Sequence, residues 1–303
     1  MRRVSLATAL GLGLTTVLAF AVPASGGLAA TALGGPIRPV RTPQGNALRN
    51  VRNQVTTENW SGYAIAKYET GSNYTSASAT WVVPTASAPP GYSTGYSSSW
   101  VGIGGFCLTS TCSKVDKTLI QLGTEQDASS SGATYYAWWE TLPQGSQRIS
   151  TVTIKQGDTV VASLVDGPSI THAKGGPGGG GGKGGPGGGG KGQTWTLSLA
   201  DKTTGASWST TLRYNSSLAS AEWIEEAPYS GGILPLANFG TATFDPGSAN
   251  GLSPNLISSD GIVMANPNGQ TSNISVPDSD SDGFNACWGN GPALTSCSTL
   301  PSS

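Results

Sequence analysis

The sequence predicts an all-β protein built as an antiparallel sandwich or barrel. Three observations carry that reading: many short runs of strand composition, turn residues between them, and no sustained helical repeat. Composition agrees, because 44 Gly, nine Trp and nine Tyr accompany only 11% charged residues in 303. That balance suits a β-rich extracellular chain, and the length allows one sizeable domain.

The chain opens with a segment read as a secretory signal, residues 1–24. Arg2 and Arg3 supply a positive start, 7–21 is apolar, and Val22-Pro23-Ala24 offers small residues before a cut. The apolar stretch is short for a membrane span. The expectation is therefore a secreted protein with no membrane attachment after cleavage. Residues 25–53 are Gly, Pro, Ala and Arg without periodicity and are read as a pro-segment or linker. Residues 1–53 carry six Arg and no acid, leaving ten basic against seventeen acidic residues beyond them, a net charge of −7. Opposite signs attract at neutral pH and release as carboxylates protonate, so this segment is expected to dock on the acidic domain.

The domain is expected over 54–303. Strand runs are predicted at 76–83, which Pro84 closes, then at 97–103, 118–123, 134–141, 150–155 and 159–165. Further runs fall at 194–200, 207–214, 219–225, 240–244 and 261–265. Between them, 174–192 is nearly all Gly with three Lys; it has no apolar area to offset ordering and is expected to be a disordered surface loop. Export makes the four cysteines disulfides, with three possible connectivities, of which Cys107–Cys112 and Cys287–Cys297 are the local and simplest pairs.

Several function classes drop out. A formal net charge of −1 argues against a nucleic-acid partner. His172, the sole histidine, sits beside the glycine tract, which disfavours Ser-His-Asp, Cys-His and zinc chemistry. No phosphate-binding glycine loop occurs. Asp278-Ser-Asp280-Ser-Asp282-Gly283 imitates the start of a calcium loop, but Phe284 and Gly289 occupy later ligand positions, so it is read as a solvated acidic turn. No metal and no cofactor are expected.

Carboxylates remain. In Ala221-Glu222-Trp223-Ile224-Glu225-Glu226, strand alternation puts Glu222, Ile224 and Glu226 on one face. Two like charges among aromatic residues favour a raised pKa on one of them, although an edge strand facing water explains the same pattern. Gln121 interrupts the apolar run 119–122; it is either a structural hydrogen-bond partner or an amide aimed at a developing oxyanion. Tyr136, Trp138 and Glu140 share another strand face, lining a cleft or packing a core.

Six motifs together resemble one family. Asn59-Trp60-Ser61-Gly62, Trp81-Val82-Val83-Pro84, Ser99-Trp100-Val101-Gly102-Ile103, Leu119-Ile120-Gln121-Leu122-Gly123, Tyr136-Ala137-Trp138-Trp139-Glu140 and Ala221–Glu226 occur in the order seen in the glutamic peptidases, or eqolisins. The resemblance implies secreted, pepstatin-insensitive acid endopeptidases acting on polypeptides, folded as a lectin-like, jelly-roll type sandwich of two antiparallel sheets. It implies Gln121 and Glu226 as the catalytic pair, with Trp100, Trp138 and Glu140 shaping the substrate cleft. Gly104, where the family often has Asp, and Thr124, where it has an aromatic residue, depart from the pattern and bear on subsites and working pH. A monomer is expected. Two other classes share the pattern: a lectin-like carbohydrate-binding module, and a glycosidase pairing Glu140 with Glu226.

Overall fold

The computed structural model describes residues 42–43, 48–50, 53–167 and 192–300, all within one compact unit, Ile37–Ser303. The expected signal peptide, most of the expected pro-segment, His172 and the glycine tract apart from Gly192 lie outside the described residues. In chain order the strands are β1 (Leu48–Arg49), β2 (Val55–Thr57), β3 (Trp60–Ala66), β4 (Ser76–Val82), β5 (Thr94–Gly104), β6 (Leu119–Ser129), β7 (Gly132–Thr141) and β8 (Gln147–Ile149). They continue as β9 (Thr159–Gly167), β10 (Thr194–Asp201), β11 (Ser207–Arg213), β12 (Ser220–Glu226), β13 (Thr241–Ala249), β14 (Gly261–Ala265), β15 (Gln270–Ile274) and β16 (Phe284–Asn290). The four-residue helix Lys67–Thr70 and the 3-10 turn Ser258–Asp260 are the described helical elements, and neither is long and apolar enough to cross a membrane.

The fold is an antiparallel β-sandwich. One layer runs β11-β10-β9-β4-β13-β16-β15 and the other β14-β3-β12-β5-β6-β7-β8; the β14–β15 hairpin joins them, so hydrogen bonding is continuous along one edge. β2 adds a parallel partner to β14, and β1 pairs with β2.

Alternation along the strands makes the core. Val101, Ile103, Leu122 and Trp223 from one layer meet Trp81, Ala79, Leu164, Trp195 and Phe244 from the other, all buried. Indole N–H groups tie the layers at this interface: Trp81 Nε1 donates to Thr124 Oγ1 at 3.0 Å and Trp223 Nε1 to the Ser78 carbonyl at 2.7 Å. Pairing both polar tips keeps large aromatic residues in the core without an orphaned donor. A second apolar cluster, including Trp60, Trp100, Leu119, Trp138 and Ile224, covers the opposite face of the β3-β12-β5-β6-β7 layer.

Both local disulfides form, Cys107–Cys112 and Cys287–Cys297. Two expectations change. Residues 150–155 are not a strand; Val152 and Ile154 are buried in the core, so their apolar alternation reflects side-chain packing without a ladder. The run 219–225 is not an edge: β12 lies between β3 and β5, and its Glu residues are buried. β15 was not legible because Gln270, Thr271, Ser272 and Asn273 carry no apolar alternation.

Candidate active site

Three neighbouring strands, β12, β5 and β6, build the site through their register. Glu226 stands opposite Ser98, which stands opposite Glu125. Ile224, Trp100 and Gly123 form the next parallel row on that face, and Glu222, Gly102 and Gln121 the one after. β3 adds Trp60 beside Glu226, while β7 adds Trp138 beside Gly123 and Glu140 beside Gln121. Cross-strand neighbours and alternate residues project from the same side. All five residues singled out from the sequence, Gln121, Glu226, Trp100, Trp138 and Glu140, therefore share one face, and all are buried.

Within that face Gln121 and Glu226 lie diagonally, two strands and four residues apart. On a flat sheet that offset puts their Cα atoms about 16 Å apart, which sheet coiling and side-chain reach have to shorten. The diagonal crosses β5 at Trp100, which spans the gap. One end of its indole lies over Gly102, where a Cβ would meet Trp100 Cζ3 at 2.8 Å; its Nε1 donates to Glu226 Oε2 at 2.9 Å. Gly123 makes room on the other side, since a Cβ there would lie 2.5 Å from Trp100 Cβ and 2.3 Å from the Ser99 carbonyl. Trp60 packs edge-on against Trp100 with ring centroids 4.8 Å apart.

Glu226 is held at both oxygens, because Asn59 Nδ2 donates to Oε1 at 3.2 Å. Gln121 is held at one end only: its Nε2 donates to Glu140 Oε2 at 2.9 Å, and its Oε1 has no partner. A carboxylate only accepts, so Glu140 fixes which way the amide points. Gln121 keeps a second N–H and a carbonyl oxygen for other work, and it shares no hydrogen bond with Glu226. Trp138 Nε1 donates to Ser98 Oγ at 3.0 Å, fixing the indole beside the Glu226 row.

The remaining Glu residues of β12 have other environments. Burial pushes the Glu222 carboxyl well above the usual range; a hydrogen bond from Ser220 opposes this and the Asp116 charge adds to it. Like-charge repulsion from Glu226, the cause expected from the sequence, is not among the causes of that shift. Glu225 points into the sandwich interior, where burial raises it to about 7 against hydrogen bonds from Ser99 and Ser97.

Sequence reasoning missed Asn59, Ser98 and Glu125 as site residues. Asn59 enters the sequence argument only as part of the Asn59-Trp60-Ser61-Gly62 motif; in the structure it is fully buried against Glu226. Only the β3–β12 register, across more than a hundred and sixty positions, brings it there. Glu140 stands three strands from β12 in the Gln121 row, and its carboxylate is engaged by the Gln121 amide.

Comparison with known proteins gives a consistent answer. Aspergillopepsin-2 of Aspergillus niger is 25% identical over 239 residues, spanning 72% of this chain and 73% of that protein. Scytalidopepsin B of Scytalidium lignicola is 31% identical over 154 residues, 48% of this chain and half the length of that protein. The crystal structure of scytalido-glutamic peptidase with a transition state analog inhibitor shares the fold, with a TM-score of 0.53 at 24% identity over 76% of this chain and 98% of that one. The sequence also matches the peptidase A4 family over residues 58–169 and 191–285. The chain belongs to the peptidase A4 family, the glutamic peptidases or eqolisins, and is a peptidase by membership.

Proposed function

We propose that the chain is a secreted acid endopeptidase in which Glu226 is the general base and Gln121 the oxyanion donor. The observation that supports this reading is the bonding of the shared face. Glu226 is clamped by Asn59 and Trp100, while Gln121 is oriented by Glu140 with one N–H and its oxygen left over.

In this reading a water lies between the two side chains, accepted by Gln121 Oε1 and Glu226. Glu226 takes a proton from the water as its oxygen attacks the scissile carbonyl carbon. The second Gln121 N–H donates to the carbonyl oxygen as it becomes an oxyanion. Protonated Glu226 then passes its proton to the leaving nitrogen as the C–N bond breaks. Trp100 and Trp138 wall the site beside the polypeptide. A carboxyl base is matched to acid conditions, where the leaving amine is readily protonated.

Both residues are fully buried, so cleavage requires that this face be uncovered. Residues 25–53 act as a removable pro-segment ahead of a catalytic domain at 54–303, its arginines docking on the acidic domain at neutral pH and releasing on acidification. Full-length and 54–303 proteins are compared at neutral and acid pH; equal activity at every pH removes the pro-segment from the scheme.

The deciding assay is casein digestion at acid pH, with and without pepstatin, on wild type, Gln121→Ala and Glu226→Gln. Loss of one oxyanion donor costs about 3–4 kcal/mol, or 10²–10³-fold in kcat. Wild-type turnover in either variant overturns the assignment. A crystal structure with a transition-state analogue adds a geometric criterion: one oxygen of the analogue within hydrogen-bond distance of both side chains.

A further inference from the structure

Outside the active face, one cluster of acids has no role in peptide cleavage. Asp278 begins the loop that the sequence marked as an acidic turn, and Asp282 ends it. Asp245, more than thirty residues earlier on β13, completes a group whose carboxylate oxygens all lie within 4.8 Å of one another.

The loop is solvated at Ser279 and Asp280, as its sequence predicts, but not at its start. Asp278 is only 7% exposed. Its backbone N–H donates to the Gly283 carbonyl at 3.0 Å, closing the loop. Its Oδ1 accepts from the backbone N–H groups of Asp282 and Gly283, both at 3.1 Å, which locks the side chain inside. Asp278 Oδ2 is buried and has no hydrogen-bond partner, and neither has Asp282 Oδ1. An ionised oxygen withdrawn from water without a partner is costly, and such oxygens are ordinarily paired or bound to a metal.

The surroundings tighten the case. A Cβ at Gly283 would lie 2.3 Å from Asp278 Oδ2 and 2.9 Å from both Cβ and Cγ of Asp245, so only glycine admits the two acids together. The β13 ladder shifts register between Phe244 and Gly247, which frees Asp245 from regular pairing beside the loop. Gly247 N–H donates to the Asp282 carbonyl at 2.8 Å and fixes loop against strand.

We propose that Asp245, Asp278 and Asp282 form a calcium site that fastens the loop of residues 278–283 to β13. All three donors are carboxylate oxygens, the choice of a hard cation rather than of zinc or copper. Two oxygens on opposite sides of Ca²⁺ stand about 4.6–5.2 Å apart, so a cluster within 4.8 Å matches its coordination sphere. The calcium-loop pattern fails along the sequence because the third carboxylate comes from another strand. With three protein ligands and water completing the shell, the expected affinity is that of extracellular modules, a Kd of about 10⁻⁴–10⁻³ M.

The test is calorimetric titration of the full chain with CaCl₂ or MgCl₂ at pH 7 after dialysis against chelator, together with thermal unfolding. Wild type is expected to take up one Ca²⁺ and to gain about 3–6 °C in Tm at a tenfold excess over Kd. Mg²⁺ is expected to bind at least tenfold more weakly. Asp282→Asn and Asp245→Asn, both at partly exposed positions, are expected to lose binding and to melt above wild type in chelator, because a repelling charge is gone. A residue that merely packs the loop would not reverse sign in this way. No calcium uptake by wild type, or wild-type affinity in the Asp245→Asn/Asp282→Asn double variant, overturns the site. Equal affinity for Mg²⁺ overturns the choice of calcium.

Discussion

Glu225 offers the sharpest test of the electrostatics, because it shares a strand with Glu226 but points the other way. Its Oε2 accepts from Ser99 Oγ at 2.5 Å, and the side chain is fully buried in the sandwich. Burial first, against hydrogen bonds from Ser99 and Ser97, raises the carboxyl from 4.5 to about 7. The folded chain therefore keeps a proton that the unfolded chain gives up. The contribution is complete below pH 4.5 and is withdrawn as pH rises through about 7. At 1.36 kcal/mol per pH unit the loss is about 3 kcal/mol between pH 4 and pH 8. Glu225→Gln copies the protonated shape without the charge. It is expected to match wild type at pH 4 and to exceed it by about 3 kcal/mol at pH 8, or about 6–12 °C in Tm. The measurement is urea unfolding at both pH values, with Glu226→Gln in each chain to prevent self-digestion. A stability difference that is the same at the two pH values, or a variant weaker at pH 8, refutes the reasoning.

Three further outcomes follow from the site geometry. Trp100→Phe keeps the ring but removes the N–H on Glu226 Oε2; a hydrogen bond to a charged group is worth about 1.5–3 kcal/mol, so kcat/KM is expected to fall about 10–150-fold with the circular dichroism spectrum unchanged. Glu140→Leu removes the acceptor that orients Gln121, and kcat is expected to drop about tenfold or more with little change in KM; a change confined to KM would instead return Glu140 to the substrate-contact role suggested by its motif. Gly123→Ala forces a methyl against Trp100 and the Ser99 carbonyl, so a loss of about 1–3 kcal/mol in stability accompanies lower activity, and wild-type stability by urea titration would contradict the packing described.

The sequence by itself determined what a strand can encode locally. Alternation assigned Glu222, Ile224 and Glu226 to one side of their strand and Tyr136, Trp138 and Glu140 to one side of theirs, and the structure sets both groups on the same face of the layer. Short spacing pointed to both disulfides, and the order of six motifs pointed to the family that the comparisons then established. The same alternation misled at 150–155, where Val152 and Ile154 pack in the core without a ladder, since burial and hydrogen-bond pairing are separate conditions. The tertiary structure alone decided the register between strands distant in the chain. That register sets Trp100 on the diagonal from Gln121 to Glu226, carries Asn59 to the Glu226 carboxylate, and delivers Asp245 to Asp278 and Asp282. Periodicity fixes the side from which a residue projects, but its neighbour across a sheet is chosen by the packing of all the strands at once.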